Sequence, residues 1–215
     1  MKNKLFVLVA LIVAVGGIMV LKMTAPETAS APAGSVTSEA NWIRAHSPRF
    51  GNPLGSVTVT EWFDPECESC RVIHPVFKQI ISDYKDRVQF VLRYMPYHPH
   101  SMYAASALEE SKEYGKYDEA LDILFETQPQ WGDHHAPKPE LISQSLVKLG
   151  MPADKLTEDY LVKKHGEKIR MDEKDGNAVG VEGTPTFFIN GKMLRQLGDA
   201  QLRSAINAAL AETGK

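Results

Sequence analysis

Strong charge of either sign is missing from this chain of 215 residues: 24 lysines and arginines face 27 aspartates and glutamates, a net charge of −3 with histidine neutral. It has no general electrostatic pull on phosphates, so no nucleic-acid partner is expected. With 15 glycines and 13 prolines it lacks the bias of collagen or of low-complexity disorder, and at 43% hydrophobic it is too polar for a multi-span membrane protein. No internal repeat appears at periods of about 20 to 50 residues. There is no HExxH pair, phosphate loop or Ser-His-Asp arrangement, which leaves hydrolase and nucleotide chemistry without a local signature. Cysteine is scarcest, with two copies.

One long apolar run is present, near the N-terminus. Lys2 and Lys4 precede Leu5 to Leu21, which contains no polar side chain. Residues 1–23 therefore read as a membrane anchor or a signal sequence, with the positive end kept in the cytoplasm and the body exported. The small residues Ala29-Ser30-Ala31 and Ala31-Pro32-Ala33 lie well beyond Leu21, and Pro32 follows the first of these sites, which favours an uncleaved anchor. Residues 24–40 are rich in Ala, Pro, Thr and Ser, too poor in large apolar groups to offset the entropy of ordering, and read as a flexible tether. Residues 41–215 remain as one mildly acidic domain.

Within that domain the β-branched and aromatic stretch VTVTEWF, Val57 to Phe63, predicts a strand. Asp64 and Pro65 break it, and a helix begins at or beside Cys67, with Ile73, Phe77, Ile80, Ile81 and Tyr84 at helical spacing. Val88 to Tyr94 is a second strand, apolar enough to be buried on both faces as in a parallel sheet. A block of four or five helices follows over about 101–177. Thr186 to Ile189, the turn dipeptide Asn190-Gly191 and Lys192 to Arg195 predict a hairpin. Asp199 is placed to cap a last helix carrying Leu202, Ile206 and Leu210 on one face.

The chemistry points to Cys67 and Cys70, spaced C-E-S-C at the strand–helix junction. Structural zinc needs four ligands, usually from two clusters, and no second cysteine pair exists. A purely structural disulfide over so short a loop would constrain little of the unfolded chain. Dithiol exchange fits better. A thiol at a helix N-terminus meets unpaired amides and the positive end of the dipole, both favouring the thiolate, so Cys67 is the expected nucleophile. Cys70, one turn on, can resolve a mixed disulfide at Cys67.

The run WFDPECESCR, the internal Pro75 and GTPTFFINGK together resemble the DsbA-like group of thiol:disulfide oxidoreductases, over roughly Gly51 to Leu210. The resemblance implies an α/β fold: a thioredoxin fold with a helical insertion between the βαβ unit and the C-terminal ββα unit. It implies that Pro185 is cis and faces the cysteines, that Thr184 offers its backbone to an extended substrate, and that Pro75 kinks its helix. It implies protein substrates with thiols or disulfides and no cofactor beyond the redox-active Cys67–Cys70 disulfide. A membrane redox partner is also implied: DsbB-like for an oxidant, or DsbD-like for a reductase or isomerase. The location implied is extracytoplasmic, on the periplasmic side of a bacterial inner membrane.

Glu61, six residues before Cys67, is a candidate proton shuttle for Cys70, since burial would raise its pKa toward neutrality; the plain alternative is an exposed glutamate at a sheet edge. Glu66 and Glu68 flank Cys67, and their charge is expected to raise its pKa and make the pair a moderate oxidant, more an oxidase or isomerase than a reductant. Two rival readings stand beside this one. Met95, His98, His100 and Met102, with His134 and His135, are residue types that suit copper, alone or with the cysteines, in a metallochaperone. A redox-idle module would use Thr184-Pro185 only to hold peptides. No resident metal is expected. His74 reads as a packing or hydrogen-bonding residue.

Overall fold

A computed structural model describes residues 42–214; the N-terminal apolar run and the tether lie outside the described residues. Five strands form one sheet: β1 (Arg49–Gly51), β2 (Val57–Phe63), β3 (Val88–Tyr94), β4 (Thr186–Ile189) and β5 (Lys192–Met193), in the order β1-β3-β2-β4-β5. β2 and β3 are parallel, with Glu61 beside Leu92, while β1, β4 and β5 join antiparallel. β3 is buried along its whole length, as its unbroken apolar sequence requires of a parallel strand covered on both faces.

The crossover from β2 to β3 is α1 (Glu68–Tyr84), which carries Pro75 in its interior and buries Cys70, Ile73, Phe77, Ile80 and Tyr84. Between β3 and β4 lie α2 (Ser101–Ser111), α3 (Tyr117–Trp131), α4 (Glu140–Val147) and α5 (Glu158–Ala178); α6 (Asp199–Thr213) closes the described chain. The fold class expected from the sequence, a thioredoxin fold with helices inserted between its βαβ and ββα units, is the one observed.

Alternation along β2 sends its side chains to two different places. Val57, Val59 and Phe63 join the main core with Phe77, Ile80, Phe90 and Phe187, and Glu61 shares their side. Trp62 faces the other way, into a smaller cluster with Met95, Val181 and Phe188. There α5 comes very close: a Cβ at Gly176 would stand 2.7 Å from Trp62 Nε1, so only glycine fits. The Trp62 indole donates to the Asp172 carbonyl (3.2 Å), and buried Arg93 meets Asp172 (2.8 Å) and Asp175 (2.6 Å), fixing α5 against β3.

Two local expectations change, and β1 is an addition, too short and polar to signal itself in the sequence. β5 ends at Met193 rather than Arg195, the last contact being the Leu194 amide donating to Phe187 at 2.8 Å. Gly198 holds the cap position of α6; Asp199 is its first helical residue and bonds Arg203 instead. α3 runs through Pro129 to Trp131.

Candidate active site

β2 ends at Phe63, and Asp64, Pro65 and Glu66 carry the chain to Cys67, whose extended backbone (φ −73°, ψ 123°) makes it the N-cap of α1. Both cysteines are free thiols, Cys67 at 9% exposure and Cys70 at 1%. Cys67 is the more exposed of the two. The Cys67 thiol donates to the Thr184 carbonyl at 3.3 Å, and the Asp64 amide donates to Cys70 Sγ at 3.5 Å. The Thr184–Pro185 peptide is cis. β4 starts at the next residue and pairs Thr186 with Trp62 and Phe187 with Glu61, which is how residue 184 comes to lie against residue 67.

The two thiols are driven apart. Cys67 is lowered to about 5, chiefly by the hydrogen bond from the Cys70 thiol; burial opposes this, while hydrogen bonds from the Thr184 side chain and from the Cys70 and Ser69 amides add to it. Cys70 is pushed well above its ordinary value by burial first, then by its bond to Cys67 and the charges at Glu61 and Cys67. At neutral pH this is one thiolate and one thiol.

That corrects the expectation that Glu66 and Glu68 raise the Cys67 pKa. Glu66 is turned inward, where its Oε2 accepts the His100 amide at 2.7 Å. Glu68 points into solvent, 66% exposed, 3.6 Å from His134 Nε2. Screened or engaged elsewhere, neither offsets the donors aimed at the sulfur.

Glu61 is on the central strand and 6% exposed, not at a sheet edge. It lines a cavity of about 100 Å³ together with Phe63, His74, Phe77, Leu121 and Phe125. Burial, and then the charge at Cys67, pushes its pKa up to about 8. A carboxyl that is mostly protonated at pH 7 therefore sits beneath the cysteines, able to give and take a proton.

Residues that the sequence reading passed over hold this geometry. Gln128, 2% exposed on α3, donates from Nε2 to the carbonyls of Pro65 (2.8 Å) and Cys67 (3.0 Å) and accepts from Arg71 Nε (3.0 Å). Asp64, fully buried, accepts the amides of Glu66 and Tyr97 and the Ser101 hydroxyl, tying the β3–α2 connection to the turn before Cys67. Position after a strand end is the one sequence signal Asp64 gives; Gln128 gives none. His74 bonds Asp122 (2.8 Å) and stacks near Phe125, in keeping with a packing role.

The copper candidates do not form one ligand set: Met95 is fully buried in the Trp62 cluster, Met102 packs on the main core, His98 is bonded to Asp64, the His100 amide is bound by Glu66, His134 faces Glu68 with its ring 6.3 Å from that of His98, and the His135 amide is bound by Asp133. Among the described residues, Glu110, Glu113 and His165 are the one group of three or more His, Cys, Asp or Glu whose ligand atoms lie together, and Lys164 already bridges both glutamates.

A CxxC at a strand–helix turn, facing a cis X-Pro before an antiparallel strand, defines a thioredoxin-fold protein. The thioredoxin family model matches residues 44–208, and the chain belongs to that family. Among solved structures it is similar to a thioredoxin-like oxidoreductase from Silicibacter pomeroyi DSS-3 (TM-score 0.68, 23% identity, 80% of this chain and 98% of that one). It is similar to BdbD from Bacillus subtilis (TM-score 0.68, 23% identity, 77% and 94%). It is also similar to α-DsbA1 from Wolbachia pipientis (TM-score 0.66, 18% identity, 80% and 94%). The fold is thus that of the DsbA-like proteins. By sequence it matches the Na(+)/H(+) antiporter NhaA of Herminiimonas arsenicoxydans (29% identity over 150 residues) and NhaA 3 of Salinispora tropica (30% over 139 residues). The match spans 23% and 20% of those two proteins.

Proposed function

We propose that this protein is a thiol:disulfide oxidoreductase that exchanges disulfides with protein clients through Cys67 and Cys70, with electron flow favouring oxidation or isomerisation of the client. The observation that carries this reading is the asymmetry of the pair: Cys67 near pKa 5 and within reach of a client, Cys70 buried and held protonated. In the oxidising direction a client thiolate attacks Cys67 Sγ of the disulfide, and Cys70 leaves as a thiolate that takes a proton, for which the buried Glu61 carboxyl, whose charge acts on Cys70, is the candidate donor. A second client thiolate attacks the client sulfur of the mixed disulfide and Cys67 leaves as a stable thiolate. The low Cys67 pKa makes it a good leaving group, which supports the oxidising direction over the reducing one.

Thr184 and Pro185 form the client-side wall: the Thr184 backbone is positioned to pair with an extended chain beside the reacting sulfur. No organic cofactor or metal is needed, since the disulfide carries the two electrons. Reoxidation falls to a membrane partner, DsbB-like for an oxidase; a DsbD-like reductant would serve an isomerase. Lys2, Lys4 and the apolar run after them support an exported body held on the periplasmic side by residues 1–23, with 24–40 as tether and 41–215 as the working domain. Among the described residues no helix is long and apolar enough to cross a membrane.

The test is oxidation of a reduced, unfolded protein whose native disulfides are known, followed by recovery of its activity. Wild type is expected to be active, Cys67→Ser inactive, and Cys70→Ser to accumulate mixed disulfides on Cys67. A Cys67→Ser variant with full activity would overturn the reading.

A further inference from the structure

His98 has no part in the exchange described so far, yet it is held by a built network. It lies on the β3–α2 connection, and its Nδ1 is 2.7 Å from Asp64 Oδ2, an oxygen that also accepts the Tyr97 amide at 2.8 Å and the His98 amide at 3.3 Å. The other oxygen accepts the Glu66 amide at 2.8 Å and the Ser101 hydroxyl at 2.5 Å, so the carboxyl of this fully buried residue cannot turn away. An ionised carboxylate only accepts, so Nδ1 carries the hydrogen and Nε2 is left to gain or lose the second proton. The ring is 30% exposed, open to proton exchange with solvent.

Its place relative to Cys67 follows from what touches it. On one side stands the turn that leads into Cys67, through Asp64 and Glu66, whose Oε2 takes the His100 amide. On the other, the His134 ring is 6.3 Å away, and His134 faces Glu68, the residue just after Cys67. The titratable groups around the ring are therefore Asp64, Glu66 and Cys67 from the β2–α1 turn, Glu68 from α1, His100 from its own loop and His134 from the α3–α4 connection. The two residues between the cysteines, Glu68 and Ser69, supply no positive charge.

We propose that His98 and Asp64, whose carbonyl accepts the Cys67 amide at 3.1 Å, form a dyad that brings an imidazolium within electrostatic reach of the Cys67 thiolate, so that the cation stabilising the nucleophile comes from the β3–α2 loop and not from the dipeptide between the cysteines. Burial pulls His98 down, but the bond to Asp64 and the charges of Asp64, Cys67 and Glu66 carry it above its ordinary value, the condition for a cation near neutral pH. The proposal rests on Cys67 as the reacting thiol. When the disulfide accepts two electrons from two client thiols, the client forms its own disulfide and releases two protons. One proton goes to Cys70 and the other to solvent, while Cys67 stays a thiolate facing the imidazolium. Stabilising that product raises the reduction potential of the pair. His98 acts through Cys67 and is a positioning residue.

Linkage is reciprocal: the thiolate must raise the His98 pKa by as much as the imidazolium lowers that of Cys67. The experiment titrates the His98 ring by NMR in the reduced and the oxidised full-length protein. Oxidation removes the thiolate, and the His98 pKa is expected to fall by about half a unit or more. In His98→Gln, which keeps an N–H donor for Asp64, the Cys67 thiolate absorbance is expected to titrate higher by the same amount, about a twofold loss of thiolate at pH 5. An unmoved His98 in a protein whose disulfide forms and breaks normally overturns the dyad alone; failure to form the disulfide overturns the reading of the site as well. Should the variant not fold, the wild-type titration decides by itself.

Discussion

The Cys67 thiol donates to the Thr184 carbonyl across 117 positions of sequence at 3.3 Å. One strand pairing accounts for this contact: β4 runs antiparallel to β2, so the residues before β4 meet the residues after β2. The proposed nucleophile and the proposed client-binding backbone are therefore brought together by the register of two central strands.

Glu61→Gln is expected to stabilise the reduced protein at neutral pH. Below the ordinary glutamate value both folded and unfolded states are protonated. Between about 4.5 and about 8 only the unfolded state gives up its proton, so stability falls as pH rises through that window. Glutamine removes this loss, a gain on the order of 3 kcal/mol at pH 7. Urea unfolding of the reduced variant and wild type at pH 5 and pH 8 measures it: the two curves draw apart at the higher pH. Exchange should slow in the same variant, because the acid beneath Cys70 is gone.

Glu68→Gln is expected to leave the Cys67 titration nearly where it is. Its carboxylate is in solvent, and the sulfur is governed by hydrogen bonds from Cys70, Thr184 and the first amides of α1. Alkylation rate against pH is the readout, with its midpoint staying near 5 in both proteins. A midpoint that drops by a full unit would restore the dominance of the acidic flank.

Gln128→Ala strands two buried carbonyls and the Arg71 guanidinium. Leaving such groups unsatisfied costs about 1 to 3 kcal/mol. The turn at Pro65 to Cys67 would also loosen, so chemical denaturation should show the loss of stability and Cys67 alkylation a broader pH dependence. Equal stability in variant and wild type would mean that Gln128 is replaceable by water.

Most of the frame was legible in the sequence because its signals are local. VTVTEWF, VQFVLRY and TFFI with Asn-Gly gave three strands with their limits, and the break at Asp64-Pro65 put Cys67 at a helix start. The cysteine spacing named the two thiols without help from the fold. What escaped depends on distance in sequence. Gln128 and Asp64 act through partners up to 63 residues away, and a buried polar residue looks like a surface one until its strand or helix is placed. The sign of the Cys67 shift differs from the expected one for the same reason: the nearest charges in sequence, Glu66 and Glu68, point away from the sulfur, while the Cys70 thiol and the Thr184 side chain donate to it. The Met and His residues looked like a copper set because they are close in sequence, but β3 and its connection to α2 send them to different sides of the sheet and to solvent.

The central claim is that Cys67 and Cys70 form a reversible disulfide whose reduced form is stabilised by the Cys67 thiolate. Equilibrating the full-length protein in graded mixtures of reduced and oxidised glutathione and counting free thiols measures it most directly. A two-electron transition with a midpoint between about −120 and −230 mV, more oxidising than the roughly −270 mV of thioredoxin, is the result expected. Two thiols that titrate independently, or a midpoint at or below the thioredoxin value, would contradict it.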